Sequence, residues 1–186
     1  MDYLNAIFNY QAKNEQDSRD REFFLRFANA HPDCLLRSND LAHFTASAWI
    51  VNADRSKVLM VWHNIYKSWS WTGGHADGDA DLAAVALREA QEETGIRNAR
   101  LVSPLPISLE TLTVDGHVKR GEYLHSHLHL NLTYLIEADD TEHLQIKQDE
   151  NSDVRWFTPE AALSASTEPW MVEQVYKKLI LASSSI

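Results

Sequence analysis

Hydrophobic and polar positions alternate most regularly in the segment His125–Ala138, which predicts a strand with two unlike faces. One face carries leucines and the other carries polar side chains: Leu128, Leu130 and Leu132 against His127, His129 and Asn131. Two earlier segments, Phe44–Val51 and Lys57–Trp62, also favour strands, and the polar residues between them have the length of a hairpin turn. The centre of the chain is therefore expected to form a sheet.

Helical spacing of apolar residues occurs at both ends of the chain and once in its middle. Residues 3–29 show it, with a polar break around 16–18 that predicts a helix cap at Asp17 or Ser18. A second helix is expected from about Asp79 to Thr94, ended by Gly95, and a third over 169–182. Strands with few helices, in this order, indicate an α+β fold.

Composition and charge narrow the class of protein. The 186 residues carry a formal net charge of −10, so no general basic field exists for nucleic acid. Cys34 is the only cysteine, which excludes an intrachain disulfide and favours a reducing compartment. The chain opens without a signal-like segment and has no apolar run that could cross a bilayer. We expect a cytoplasmic protein that binds neither nucleic acid nor membrane.

Candidate chemistry is concentrated in the glycine pair Gly73-Gly74 and in the helix that follows it. Glu89, Glu92 and Glu93 fall within roughly a 100° arc of that helix. Carboxylates so spaced repel one another, and a hard divalent cation such as Mg²⁺ would relieve that repulsion. A solvated acidic helix face is the alternative interpretation of the glutamates taken alone.

The complete pattern resembles the Nudix box: Gly74, Arg88-Glu89, Glu92-Glu93 and Gly95-Ile96 stand at its spacing. The resemblance implies a Nudix-like α/β/α sandwich with a mixed central sheet. Residues 41–186 would form the hydrolase domain, and residues 1–40 would be an N-terminal helical extension.

The resemblance also implies a Mg²⁺-dependent pyrophosphohydrolase, with Mn²⁺ as an alternative ion. The implied metal ligands are the Gly73 carbonyl, Glu89, Glu92 and Glu93, and Arg88 would orient the glutamates. The implied catalytic residues are Glu93, Arg88 and a distant acid that acts as general base. Glu150 or Asp149 is our hypothesis for that base, and Glu122 is the next candidate.

The sequence departs from the box at one acidic position. Ala80 stands where the pattern has its first glutamate, with Asp79 and Asp81 on either side. We hypothesise that one of the two aspartates serves in its place, and the sequence leaves open which.

Four residues outside the box are candidates for contact with substrate: Trp71, His127, His129 and Arg120. Trp71 belongs to an aromatic group that could stack a nucleobase or lie in the core, and Arg120 could meet a terminal phosphate or be only a surface residue. His125, His127 and His129 share one strand face, which suits a row lining the cleft better than a Zn²⁺ site.

The expected substrate is a small nucleotide-type molecule: a nucleoside diphosphate linked to another group, as in a nucleotide sugar, a dinucleotide or a nucleoside triphosphate. Two rivals remain. A non-catalytic regulator could use the same fold to sense a nucleotide, and an isopentenyl-diphosphate isomerase would need a cysteine where Trp71–His75 stand. Whether the protein forms a homodimer is left open.

Overall fold

The computed structural model describes residues 1–119 and 121–186, with Lys119 described for its backbone alone. The helices are α1 Tyr3–Asn9, α2 Glu15–Ala30, α3 Leu82–Thr94, α4 Pro159–Ala165, α5 Pro169–Met171 and α6 Lys177–Ser183, and a π-helical turn, Val172–Tyr176, joins the last two. The strands are β1 Ala42–Val51, β2 Val58–His63, β3 Ser68–Ser70, β4 Thr72–His75, β5 Arg100–Leu101, β6 Ser108–Val114, β7 His117–Lys119, β8 Glu122–Leu124, β9 His127–Glu137 and β10 Asn151–Phe157.

The main sheet is mixed, as the sequence predicts. β1 and β9 run parallel along their whole shared length, whereas the other pairings are antiparallel. The second edge of β1 is divided between two strands: β4 pairs with Thr45–Ala48 and β2 pairs with Ile50 and Val51. This division opens the sheet beside β4, which carries the glycine pair. β7 and β8 form a separate hairpin.

Side chains of β1 alternate between two cores, one on each face of the sheet. Phe44, Ala46, Ala48 and Ile50 pack with α1, α2 and α3, whereas Trp49 and Val51 pack with α4 and the C-terminal helix. Helices therefore cover both faces, and the predicted α+β sandwich with N-terminal helices is confirmed. Among the described residues, no helix has the length and apolarity that crossing a bilayer requires.

The N-terminal helices pack into the same core as the sheet. Phe24 of α2 lies edge-on against Phe44 of β1, with ring centroids 5.5 Å apart. The break between α1 and α2 falls at residues 10–14, so the predicted break at 16–18 is wrong, and Asn14 caps α2. Asp17 lies in the first turn, where its N–H donates to the Asn14 side chain at 2.8 Å; its buried carboxylate accepts from Tyr10 at 2.7 Å and pairs with Lys178 at 2.9 Å. The division at residue 40 stays a prediction.

The predicted signals at the ends of α3 correspond to real caps. Asp81 accepts a hydrogen bond from the Ala84 backbone N–H, which starts the helix at Leu82. Gly95 follows Thr94 with a φ of 75°, the left-handed conformation that favours glycine at a helix end. Both caps fix the rotation of α3, and with it the direction in which Glu89 and Glu93 project.

Candidate active site

The glycine pair brings strand β4 unusually close to two neighbours. A Cβ on Gly73 would lie 2.7 Å from the Ala46 carbonyl oxygen of β1, and a Cβ on Gly74 would lie 2.5 Å from Cδ of Glu89. Gly73 therefore allows β4 to pair with β1, while Gly74 makes room for a helix carboxylate directly over the strand. The spacing of the motif is explained by these two contacts.

Three carboxylates converge beside this pair. One carboxylate oxygen each from Glu89, Glu93 and Glu150 lies within 4.8 Å of one from the other two. We call Glu89, Glu93 and Glu150 the carboxylate cluster. The first two project from successive turns of α3, and Glu93 accepts a hydrogen bond of 2.9 Å from the Gly73 backbone N–H.

Glu150 reaches the cluster because its loop is fastened to the end of α3. Asn151 donates to the Glu93 carbonyl at 3.1 Å, and the Gln145 N–H donates to the Thr94 carbonyl at 2.8 Å. These bonds use helix carbonyls that have no partner within α3 itself. The loop is therefore positioned by the helix that carries the other two acids.

Electrostatics in the cluster disfavour three negative charges. Burial of Glu93, which is 3% exposed, raises its pKa to about 8; Glu150 and Glu89 add to the rise, and the Gly73 N–H opposes it. Burial also raises the pKa of Glu89, with Lys147 and Arg88 opposing the rise and Glu92 and Glu150 adding to it. A divalent cation would remove this repulsion, and a donor set made only of carboxylate oxygens fits Mg²⁺ or Mn²⁺.

Two residues of the motif, Glu92 and Arg88, lie at the rim of the cluster. Glu92 is exposed and its carboxylate lies 3.5 Å from the Lys147 ammonium, which also pairs with Glu150 at 2.9 Å. Arg88 is exposed too, and its ion pair is with Asp79 at 3.6 Å. The metal-binding role of Glu92 and the orienting role of Arg88 stay predictions.

The acidic positions on either side of Ala80 have separate local partners. Asp79 pairs with Arg88, while Asp81 caps α3 and pairs with the N-terminal ammonium at 3.0 Å. Each of these contacts supports the helix or its arginine. Neither aspartate belongs to the carboxylate cluster described above.

The three candidates for general base lie in different places. Glu150 belongs to the carboxylate cluster, whereas Asp149 is exposed and Glu122 lies exposed in the β7–β8 hairpin. Only the position of Glu150 puts a carboxylate next to Glu89 and Glu93. The assignment of the base stays a prediction, and Glu150 is the candidate that the geometry favours.

A cavity of about 210 Å³ opens beside the cluster. Gly73, Gly74 and Glu93 form one part of its wall, and aromatic and apolar side chains from other elements form another: Tyr66, Trp71, Leu112, Met171 and Tyr176. Such a mixture of charged and apolar walls suits a ligand with a polar and an aromatic part.

The structure places some of the residues predicted to contact substrate at the cavity wall. Trp71 and His129 line the cavity, with the Trp71 ring packed edge-on against Tyr176 at 5.8 Å. His127 is half-buried beside them, its ring 5.2 Å from that of His129. Arg120 lies outside the described residues.

Hydrogen bonds hold the floor of the cavity in place. Asn131 accepts from Thr45 and Ser47 at 2.9 Å each, and it donates to the buried Glu110 carboxylate at 3.0 Å. Lys178 lies 3.3 Å from Glu110 and also pairs with Asp17 of α2. The cavity floor is thus connected to the N-terminal helices by paired, buried groups, which keeps it rigid.

Sequence reasoning missed several residues of the cavity or its edge, among them His43, His75, Asn131 and Glu168. Burial raises the pKa of Glu168, which lies just before α5. His75 directly follows the glycine pair, so its position in the motif was a usable signal. His43 is brought to the site by strand register alone, since it pairs with His129 across β1 and β9.

Comparison with known proteins agrees with this fold. The family model of the NUDIX domain matches residues 41–179. The chain therefore belongs to the Nudix family of hydrolases.

Solved structures give the same result for the fold. A NUDIX-family hydrolase from Clostridium perfringens is 25% identical, with a TM-score of 0.54 over 75% of this chain and 97% of that one. An Ap4A hydrolase from C. elegans is 18% identical, with a TM-score of 0.57 over 77% and 98%. The E. coli dihydroneopterin triphosphate pyrophosphohydrolase is 14% identical, with a TM-score of 0.53 over 74% and 94%. No curated protein sequence matches the chain.

Proposed function

We propose that this protein is a Mg²⁺-dependent hydrolase that cleaves the diphosphate bond of a nucleoside diphosphate linked to another group. One observation carries the proposal. Three carboxylates, Glu89, Glu93 and Glu150, converge beside a glycine pair at the wall of a cavity that also has aromatic walls. An acidic helix face that served only solubility would not be buried against a strand.

Glu89 and Glu93 of the carboxylate cluster would hold the cation, with Glu92 and the Gly73 carbonyl as further ligands. When bound, Mg²⁺ polarises phosphoryl oxygens and lowers the pKa of water in its shell. The Gly73 N–H holds the Glu93 carboxylate in one orientation, so the carboxylate would be ready to bind the cation without reorienting. Glu150 would take the proton of the attacking water, and Lys147 at 2.9 Å would steady its carboxylate. Arg88, held by Asp79, would place positive charge behind Glu89.

The aromatic part of the cavity supports a nucleotide-type substrate. Trp71, Tyr66 and Tyr176 offer faces or edges to a base, and Asn131 offers polar groups at the floor. Two of the structural relatives are named for substrates of this type, an Ap4A and a dihydroneopterin triphosphate. The substrate class we propose comprises nucleotide sugars, dinucleoside polyphosphates and nucleoside triphosphates, and it does not include nucleic acid. The single cysteine, which is buried and free, agrees with a cytoplasmic location.

A substrate panel with Mg²⁺ tests the proposal. ADP-ribose, nucleotide sugars, dinucleoside polyphosphates and nucleoside triphosphates are incubated with the protein, and products are separated by chromatography. We expect one class to be split at its diphosphate bond, with Glu150→Gln reducing turnover by roughly 10²-fold or more because a general base is lost. Binding of a nucleotide without turnover, under both Mg²⁺ and Mn²⁺, would instead favour the regulator, and conversion of isopentenyl diphosphate would favour the isomerase.

A further inference from the structure

A second group of potential ligands lies on the sheet beside the carboxylate cluster. His43, His75 and His129 come from β1, β4 and β9, and one ring nitrogen of each lies within 4.8 Å of one from the other two. Strand register explains the meeting: His43 pairs with His129, and Thr45, two residues further along β1, pairs with His75. We call these three residues the histidine cluster.

Two members of this cluster, His43 and His129, each have a buried ring nitrogen without a hydrogen-bond partner among the described residues. His43 is 3% exposed, and its Nδ1 lies 3.0 Å from the Asn39 carbonyl, which fixes the proton on Nδ1. Nε2 of His43 and Nε2 of His129 are buried with no hydrogen-bond partner among the described residues. Metal-binding histidines commonly donate their second nitrogen to a carbonyl in this way.

Burial favours the neutral form of two of these rings, those of His43 and His129. Burial lowers the pKa of His129 to about 2, and the neighbouring His75, His43 and His127 lower it further. Burial also lowers the pKa of His43, although its bond to Asn39 acts in the opposite direction. A neutral imidazole has a free lone pair, which is the form that binds a metal ion.

We propose that His43, His75 and His129 bind one divalent transition-metal ion, with Zn²⁺ as the best match. Three imidazole nitrogens suit Zn²⁺, whereas Mg²⁺ prefers oxygen ligands. This site is separate from the carboxylate cluster in residues and in donor chemistry. It does not depend on the function proposed above.

The geometry needs only small adjustments to bind the ion. Zn–N bonds of about 2.1 Å in a tetrahedron place the nitrogens about 3.4 Å apart, so nitrogens now within 4.8 Å must approach by at most about 1.4 Å. Three protein ligands leave a fourth position open. Because His75 and His129 line the cavity, a ligand in the cavity would fill that position with an anionic oxygen.

Metal titration tests the proposal on the full chain. The protein is stripped with a chelator, placed in excess Mg²⁺ to occupy the carboxylate cluster, and titrated with Zn²⁺ by calorimetry. We expect one Zn²⁺ to bind, and His75→Gln and His129→Gln each to weaken binding by about 100-fold or more. X-ray absorption of the wild-type complex should show imidazole ligands at about 2.0–2.1 Å.

Two control variants separate this site from its surroundings. His125→Gln alters an exposed histidine that pairs with Asp40 at 3.3 Å, and Zn²⁺ affinity should be unchanged. Glu93→Gln should also keep Zn²⁺ affinity in excess Mg²⁺. His75 is half-buried at the cavity wall, so its variant is expected to fold, which a thermal melt checks.

Either of two results overturns the proposal. The first is a Zn²⁺ affinity that is lost in the Glu93→Gln variant but retained in the His75→Gln and His129→Gln variants. The second is an absorption spectrum without imidazole ligands. A panel of nucleotides that all remain uncleaved would contradict the proposed function and leave the Zn²⁺ titration unaffected, so the two failures are distinguishable.

Discussion

The carboxylate cluster and the histidine cluster both lie next to the same glycine pair and are built in opposite ways. The first takes two of its three acids from one helix, whereas the second takes one residue from each of three strands. In the first, burial raises the pKa of Glu93 and the neighbouring acids add to the rise; in the second, burial lowers the pKa of His129 and the neighbouring histidines lower it further. Oxygen donors and nitrogen donors thus stand side by side, and each set suits a different class of metal ion.

The construction of each cluster decides how easily sequence reasoning finds it. Helical neighbours are separated by three or four positions, so Glu89 and Glu93 can be recognised from their spacing. Strand neighbours from different parts of the chain have no fixed spacing, since their meeting depends on pairing and register. A site that spans a sheet therefore needs the fold before it can be recognised.

The largest expected effect comes from comparing two adjacent glutamates of α3. Glu93→Gln should reduce turnover by about 10³-fold, because a buried ligand held by Gly73 is lost, while Glu92→Gln should cost about 10-fold. Glu92 is the matched control because it is exposed and paired with Lys147. Turnover and Mg²⁺ affinity are measured for both variants, and equal losses would contradict the distinction between buried cluster and exposed rim.

The sequence predicted the local parts of this site and missed its long-range parts. The end of α3 at Gly95, the two faces of β9 and the convergence of acids on one helix face all follow from short-range patterns. Asp17 combines both kinds of contact: Asn14 caps α2 by accepting from the Asp17 N–H, and the Asp17 carboxylate accepts from the Lys13 N–H at 3.1 Å. Its buried pair with Lys178, far along the chain, is a partner that no local pattern contains.

His43 and Glu150 show why some distant residues were found and others were not. Glu150 was proposed because related proteins use a distant acid, so the resemblance supplied what spacing could not. His43 had no such pattern behind it, and it joins His129 only through the parallel register of β1 and β9. The structure was needed to supply that register.

A smaller effect on turnover is expected from substitution of the two glycines that lie next to the clusters. Gly74→Ala places a methyl group 2.5 Å from the Glu89 carboxyl carbon, so the acid must turn away and turnover should fall by about 10²-fold, with little loss of stability. Gly73→Ala instead meets the Ala46 carbonyl at 2.7 Å, which a backbone cannot avoid, so we expect a lowered melting temperature.

Thermal melts and Mg²⁺ titrations of both glycine variants check this difference. Zn²⁺ binding by the histidine cluster should survive Gly74→Ala, because the added methyl group is directed at Glu89. An unchanged Mg²⁺ affinity in Gly74→Ala would show that Glu89 is not held against the strand in the way the structure indicates.

The smallest expected effect is the pH dependence of stability in the metal-free protein, in which the two clusters act in opposite directions. Glu93 titrates near pH 8 when folded and near its ordinary value when unfolded, so the folded state holds more protons between those values and stability falls as pH rises through this window. His129 has a folded pKa of about 2, below its ordinary value of 6.5, so stability falls as pH drops below about 6.5.

Glu93→Gln should therefore stabilise the metal-free protein at pH 8 by on the order of 2 kcal/mol, and His129→Gln should reduce the loss of stability below about pH 6.5. Denaturant unfolding across pH, in the presence of chelator, measures both slopes, and slopes of equal sign would contradict the assignment of opposite charge preferences to the two clusters.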